Sequence, residues 1–166
     1  MVALSATTNK EFTKFFNTFE IIGMTKKQRQ NHKSTELHPN VEIVDKLSDL
    51  VVEAIKAFIK ESKQCPTNVV IYRDGVGDSQ IKDVHKQEVQ KIRQALNTQF
   101  KLESIDLSVI LTTKRINQRF FKKDRYQLGN PSNGLLVESV VVKEDVFDWF
   151  MLAQQVTEGC GTPTRF

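Results

Sequence analysis

From the amino terminus, apolar residues first recur in the manner of pleated strands. Val2 to Thr7 and Glu11 to Ile22 are rich in types that suit a half-buried sheet, with Phe12, Phe15, Phe16, Phe19 and Ile21 in the second segment. Together they predict a hairpin turning near Thr8 to Lys10. Lys26 to Pro39 is polar and basic, has no apolar period, and reads as a loop. From Ile43 the period changes. Ile43, Leu47, Leu50, Val51, Ala54, Ile55, Phe58 and Ile59 recur at helical spacing and predict one buried stripe. The continuous apolar run Val69 to Tyr72 predicts a short strand covered on both faces. Ile81, Val84, Val89, Ile92, Leu96 and Phe100 then approximate the stripe of a second amphipathic helix, with Lys86, Lys91 and Arg93 outside it.

Ile105 to Leu111 reads as the next strand, Gly129 to Gly134 as a turn-rich loop, and Leu135 to Val142 as a further strand. Asp145 to Val156 is apolar and aromatic, and its period separates neither helix from strand. The closing TPTRF reads as the place where an apolar strand begins. A helix between two strands makes a right-handed βαβ unit, so Val69 to Tyr72 and Ile105 to Leu111 are expected to be parallel in a mixed sheet flanked by helices. The fold class is α/β, with residues 1–166 expected as a single domain. Ligands of open sheets gather at the carboxyl ends of the strands. Asp74 stands at such an end.

Composition adds little to this outline. With 39% hydrophobic and 27% charged residues, the chain of 166 residues is ordinary for a globular domain with a real core. It holds no apolar run of about 18 residues and no secretory pattern near its start, so no membrane partner is expected and the location reads as intracellular, nuclear or cytoplasmic. Cys65 and Cys160 lack the paired spacing of a zinc site and read as structural. The net charge of +4 is modest, but its distribution is not. TKRINQRFFKKDRY, residues 113 to 126, holds six Lys or Arg against one Asp, interleaved with Phe120, Phe121 and Tyr126. Such a run suits a phosphate-binding surface with stacking side chains, or a solvated basic segment. Asp74 likewise has two readings. It is an acid at a rigid strand end, or a turn residue before Gly75. Glu42 reads first as a solvated acid in the opening turn of a helix.

The segment YRDGVGDSQ, residues 72 to 80, resembles the YRDGV-x-x-x-Q signature of the Piwi domain of Argonaute and Piwi proteins, and its Gly-Asp pair leans to the Piwi branch. VALSATTNK near the start, TKRINQRFF at 113 to 121 and EGCGTPTRF at 158 to 166 are similar to further family stretches in the same order. The resemblance implies an RNase H-like fold that holds a guide small RNA paired to complementary target RNA. Active members of the family cut the target by metal-dependent hydrolysis, which implies Mg²⁺ as cofactor. Two such ions about 4 Å apart can activate water and neutralise the developing charge, provided that carboxylates fix them.

The family's catalytic set is Asp, Glu, Asp and then His or Asp. Its third member carries over to Asp74, also a metal ligand, and its second to Glu42 in HPNVEIVDKL. The first and fourth are expected to lie outside this sequence, so the isolated chain is expected to be poorly soluble and inactive as a nuclease. Lys114 and Arg115, with Arg119 beyond them, correspond to the segment that lies against the guide backbone. Arg165 stands where the family has His in its PTHY-like motif and is able to face a phosphate. Glu138 in GLLVE departs from the family's GTVVD. The leading expectation is therefore RNA-guided silencing, with target cleavage by the complete protein. A second reading is a non-cutting guide-RNA-binding module that recruits silencing partner proteins, and a third is an RNase H-like scaffold without RNA.

Overall fold

A computed structural model describes residues 2–20, 46–100, 105–114, 116–143, 147–156 and 159–166. Two compact units emerge, one of Met1–Ile71 with Asp78–Ser108 and the other of Tyr72–Gly77 with Val109–Phe166. In the first unit, β1 (Val2–Thr7) and β2 (Phe15–Glu20) form the expected hairpin, antiparallel and in register from Val2 opposite Glu20 to Thr7 opposite Phe15. Its turn is longer than the sequence suggests. The Asn9 carboxamide oxygen accepts the N–H groups of Thr13 (3.0 Å) and Lys14 (2.9 Å), which draws residues 11 to 14 out of the second strand. Phe12 is consequently exposed in the turn, at φ 55°.

The predicted helix is α1, Leu47–Ser62, with Leu47, Leu50, Val51, Ala54 and Ile55 buried along the expected stripe. Ile43 and the predicted loop at 26–39 lie outside the described residues. The helix ends where Lys63 turns left-handed at φ 57° and donates its N–H to the Ile59 carbonyl at 2.9 Å. Leu47, Val51 and Ile55 pack with Ile92 and Leu96 to form the core of this unit.

Ile92 and Leu96 belong to the second predicted helix, which is interrupted. It runs from α2 (Ile81–Val84) through a π-helical turn (His85–Val89) into α3 (Gln90–Phe100). Its buried positions are Val84, Glu88, Ile92 and Leu96, four residues apart throughout. An α-helix of 3.6 residues per turn would let that row drift around its surface. The wider i→i+5 turn corrects the drift. As a result the acid Glu88, rather than Val89, is the residue buried at that level.

β3 (Asn68–Asp74) and β4 (Asp106–Thr112) are hydrogen-bonded neighbours in one sheet. The expectation that β3 is covered on both faces is corrected. Val69 and Ile71 pack on the core, whereas Val70 is 53% and Tyr72 67% exposed. A continuous apolar run is compatible with one covered face or two, because alternate side chains point to opposite sides whatever their type.

The second unit is built from short strands. β5 (Lys122–Lys123) pairs antiparallel with β6 (Leu128–Gly129). β7 (Leu135–Val137), β8 (Phe150–Leu152) and β9 (Thr164–Arg165) form an antiparallel sheet in that order. The strand expected over 135 to 142 therefore ends at Val137, and Val140, at φ 70°, is exposed beyond it. The ambiguous segment after Asp145 resolves into β8, whose Phe150 and Leu152 are buried.

Candidate functional site

The second unit places two predicted site residues in contact. Asp74 closes β3, and Gly75 at φ 84° takes the left-handed conformation that turns the chain away, a conformation that glycine adopts without Cβ strain. Asp74 is thus both the last residue of a strand and the first of a turn. Lys114 follows β4 by two residues, and its ammonium donates to Asp74 Oδ2 at 2.5 Å. Between them Thr112 is buried and its hydroxyl donates to the Arg73 carbonyl at 3.4 Å. The Lys114 hydrogen bond holds the Asp74 carboxyl below its ordinary value against the opposing effect of burial, helped by the Lys114 charge, the Gly75 N–H and the Thr112 hydroxyl. With side chains 65% and 53% exposed, this pair competes with water and contributes only about 0.2–1 kcal/mol to stability.

A two-ion magnesium site does not fit the described residues alone. Mg²⁺ takes oxygen ligands in strict octahedral geometry. Asp74 is a single carboxylate turned to an ammonium, and no group of three His, Cys, Asp or Glu suited to a metal occurs among the described residues. Glu42 and Arg115 lie outside the described residues.

The basic-aromatic run divides by direction. Phe120 packs edge-on against Phe150 with ring centroids 5.6 Å apart, which anchors the run to the sheet. Phe121 and Tyr126 remain 55% and 95% exposed, beside the exposed Lys122 and Lys123 of β5. Arg119 is exposed and donates to the carbonyls of Ile116 (2.8 Å) and Gln118 (2.7 Å), which ties its guanidinium to its own loop.

Arg165 is placed differently from the expectation of a phosphate contact. Its Nε donates to Asp148 Oδ1 at 2.8 Å and its Nη2 to Oδ2 at 2.9 Å, in a forked pair whose side chains are 15% and 4% exposed. Planar guanidinium and carboxylate match in this geometry, so the cation is already neutralised. Burial pushes the Asp148 carboxyl up, and the Arg165 hydrogen bonds, the Lys143 N–H and both positive charges outweigh it, leaving the group below its ordinary value.

Three residues here escape sequence reasoning. Thr112 looks like any strand residue. Asn130 reads only as turn chemistry before Pro131, yet its carboxamide donates to the Gly159 carbonyl at 2.8 Å and accepts the Gly161 N–H at 3.1 Å, fastening the approach to β9. Asp148 carried a signal, since an acid within the aromatic stretch FDWF requires a partner if it is buried.

Comparison with known proteins sets this site in context. A family model described as the Piwi domain matches residues 4–166. Piwi-like protein 1 of Danio rerio is 34% identical over 125 residues, which are 75% of this chain and 15% of that protein. Piwi-like protein 3 of Homo sapiens is 30% identical over 161 residues, 97% of this chain and 16% of that protein. The chain therefore spans about one-sixth of the length of these relatives. Among solved structures, Drosophila Piwi superposes with a TM-score of 0.62 at 30% identity, over 72% of this chain and 16% of that one. The Argonaute of Kluyveromyces polysporus with a guide RNA superposes with a TM-score of 0.73 over 98% of this chain and 19% of that one, at 22% identity, which shows the shared fold. The strand-end acid of YRDG, the neighbouring TKR segment and the α/β frame that holds them thus have one common explanation: this chain belongs to the Piwi domain family.

Proposed function

We propose that the protein acts in small-RNA-guided silencing, and that this segment contributes part of the surface that binds a guide RNA paired to its target. The observation that carries the reading is the juxtaposition of Asp74 and Lys114 at one strand end, in the same basic-aromatic run as the exposed residues Phe121 to Tyr126, in a chain of the Piwi family. Lys114, Arg115 and Arg119 supply positive charge for RNA phosphates, which positions a duplex without reading its sequence. Sequence is then read by base pairing to the guide, a logic in which the protein recognises backbone and shape. Arg165 enters this surface through its structural pair with Asp148, and a phosphate contact would require that pair to open.

In the complete protein, target cleavage with Mg²⁺ would use Asp74 as one metal ligand and Glu42 as the second catalytic acid, joined by ligands beyond the described residues. The non-cutting module that recruits silencing partners is the second reading. It is favoured by the ammonium that already engages Asp74. One experiment separates the two. Full-length protein loaded with a guide is incubated with labelled complementary RNA and Mg²⁺, beside Asp74→Ala. Cleavage by the parent that disappears in Asp74→Ala, with duplex binding retained, establishes the slicing reading. Binding without cleavage in both proteins establishes the module.

A further inference from the structure

The forked pair of Asp148 and Arg165 is one residue removed from the candidate site through the backbone. Directly after β9, Phe166 exchanges hydrogen bonds with Trp149, its N–H donating at 2.8 Å and its carbonyl accepting at 3.1 Å. Arg165 turns its backbone the other way, as alternation along a strand requires. Its carbonyl accepts the Thr113 N–H at 2.8 Å and its N–H donates to the Thr113 carbonyl at 3.0 Å. Three consecutive residues thus divide their attachments. Thr112 reaches the Arg73 carbonyl, Thr113 reaches Arg165, and Lys114 reaches Asp74. The backbone that carries Lys114 is held from β3 on one side and from β9 on the other.

We propose that Arg165 is a positioning residue. Gripped by Asp148, it fixes through Thr113 the backbone from which Lys114 meets Asp74. A forked guanidinium–carboxylate pair constrains both distance and plane, which a single lysine ammonium would not. The 5.9 Å placement of the guanidinium over the Phe150 ring adds a third restraint on the same side chain. The role of Lys114 toward RNA rests on the function proposed above; its placement by Arg165 does not.

The test is amide hydrogen exchange on the full-length protein, resolved to residues 109–114, for Asp148→Asn, Arg165→Met and Arg165→Lys. Asp148→Asn and Arg165→Met are expected to speed exchange at Thr113 by on the order of tenfold or more, with the β1–β2 hairpin unchanged. Arg165→Lys keeps a cation beside Asp148, so it preserves the fold, and an intermediate acceleration is expected from it. Wild-type protection at residues 109–114 in a folded variant, with loosening confined to β8 and β9, overturns the proposal.

A second readout is the salt dependence of guide-duplex binding. If Arg165 contacted a phosphate, Arg165→Met alone would lower the slope by about one unit and Asp148→Asn would leave it unchanged; that result also overturns the proposal. Under the positioning role the two variants weaken binding alike. A protein that binds no guide duplex but shows the expected exchange pattern refutes the RNA reading and leaves the positioning role standing. One that binds RNA with unaltered exchange does the reverse.

Discussion

Asp74 and Asp148 each pair with one cation, and burial separates what the two pairs are worth. Replacing Asp148 with Asn leaves the Arg165 guanidinium, 15% exposed, without its counter-charge, and such a buried ion costs about 3–5 kcal/mol. Replacing Asp74 with Asn removes a pair whose members are 53% and 65% exposed, a loss of about 0.2–1 kcal/mol. Urea unfolding of the 166-residue chain can be followed by the fluorescence of its one tryptophan. Trp149 adjoins Asp148 and stacks on Phe166 at 5.4 Å, so it reports the unit that holds both pairs. With a slope of about 2 kcal/mol per molar urea, Asp148→Asn should lower the midpoint by ~1.5–2.5 M and Asp74→Asn by ~0.1–0.5 M. Equal shifts, or a larger one for Asp74→Asn, would refute the argument that burial sets the order.

Other expectations concern single sites. Ile92 is 1% exposed at the centre of the first unit, so Ile92→Ala should cost about 2–5 kcal/mol, measured as loss of hydrogen-exchange protection in α1 and α3. Lys63 ends α1 at φ 57°, where a Cβ is strained, and Lys63→Gly should raise the stability of that helix end by ~0.5–1 kcal/mol, read as slower exchange of its own amide. The Asp74 carboxyl titrates below its ordinary value of 3.8, so its contribution to stability is fully present above that pH and fades as pH falls through the lower folded value. A carboxyl NMR titration should show this, and Lys114→Met should move Asp74 back upward.

Elements whose burial is periodic were legible in the sequence. The stripe of α1 and the hairpin of β1 and β2 follow from residue spacing, because one face of each packs on a core. What spacing could not show was which side chains are claimed by distant partners. Asn9 shortens β2 by capping a turn, and the second helix admits a π-helical turn because its buried row advances by four residues. The exposed face of β3 belongs to the same class, since Val70 and Tyr72 look no different from Val69 and Ile71. The Piwi-like motif singled out Asp74 and Lys114 as candidates and did not foretell that they touch. Arg165 was read for its charge, and its forked partner 17 positions earlier leaves no periodic trace.

The contact between Asp74 and Lys114 stands in opposition to the phosphate contact proposed for Lys114. Its ammonium, 2.5 Å from Oδ2, cannot hold that geometry and also neutralise a phosphate at full strength. On the proposed function, RNA would compete with Asp74 for the same cation. Asp74→Asn removes the competitor and one negative charge near the RNA, so it should tighten guide-duplex binding even as it removes a proposed metal ligand. The gain is bounded by the worth of the exposed pair, about 0.2–1 kcal/mol, which is at most ~5-fold in affinity. Asp74→Asn combined with Lys114→Met should lose that gain, because no ammonium remains to be released. Filter binding across a salt series reads both. Weaker binding by Asp74→Asn at every salt concentration would show that Asp74 serves the RNA surface through something other than its hold on Lys114.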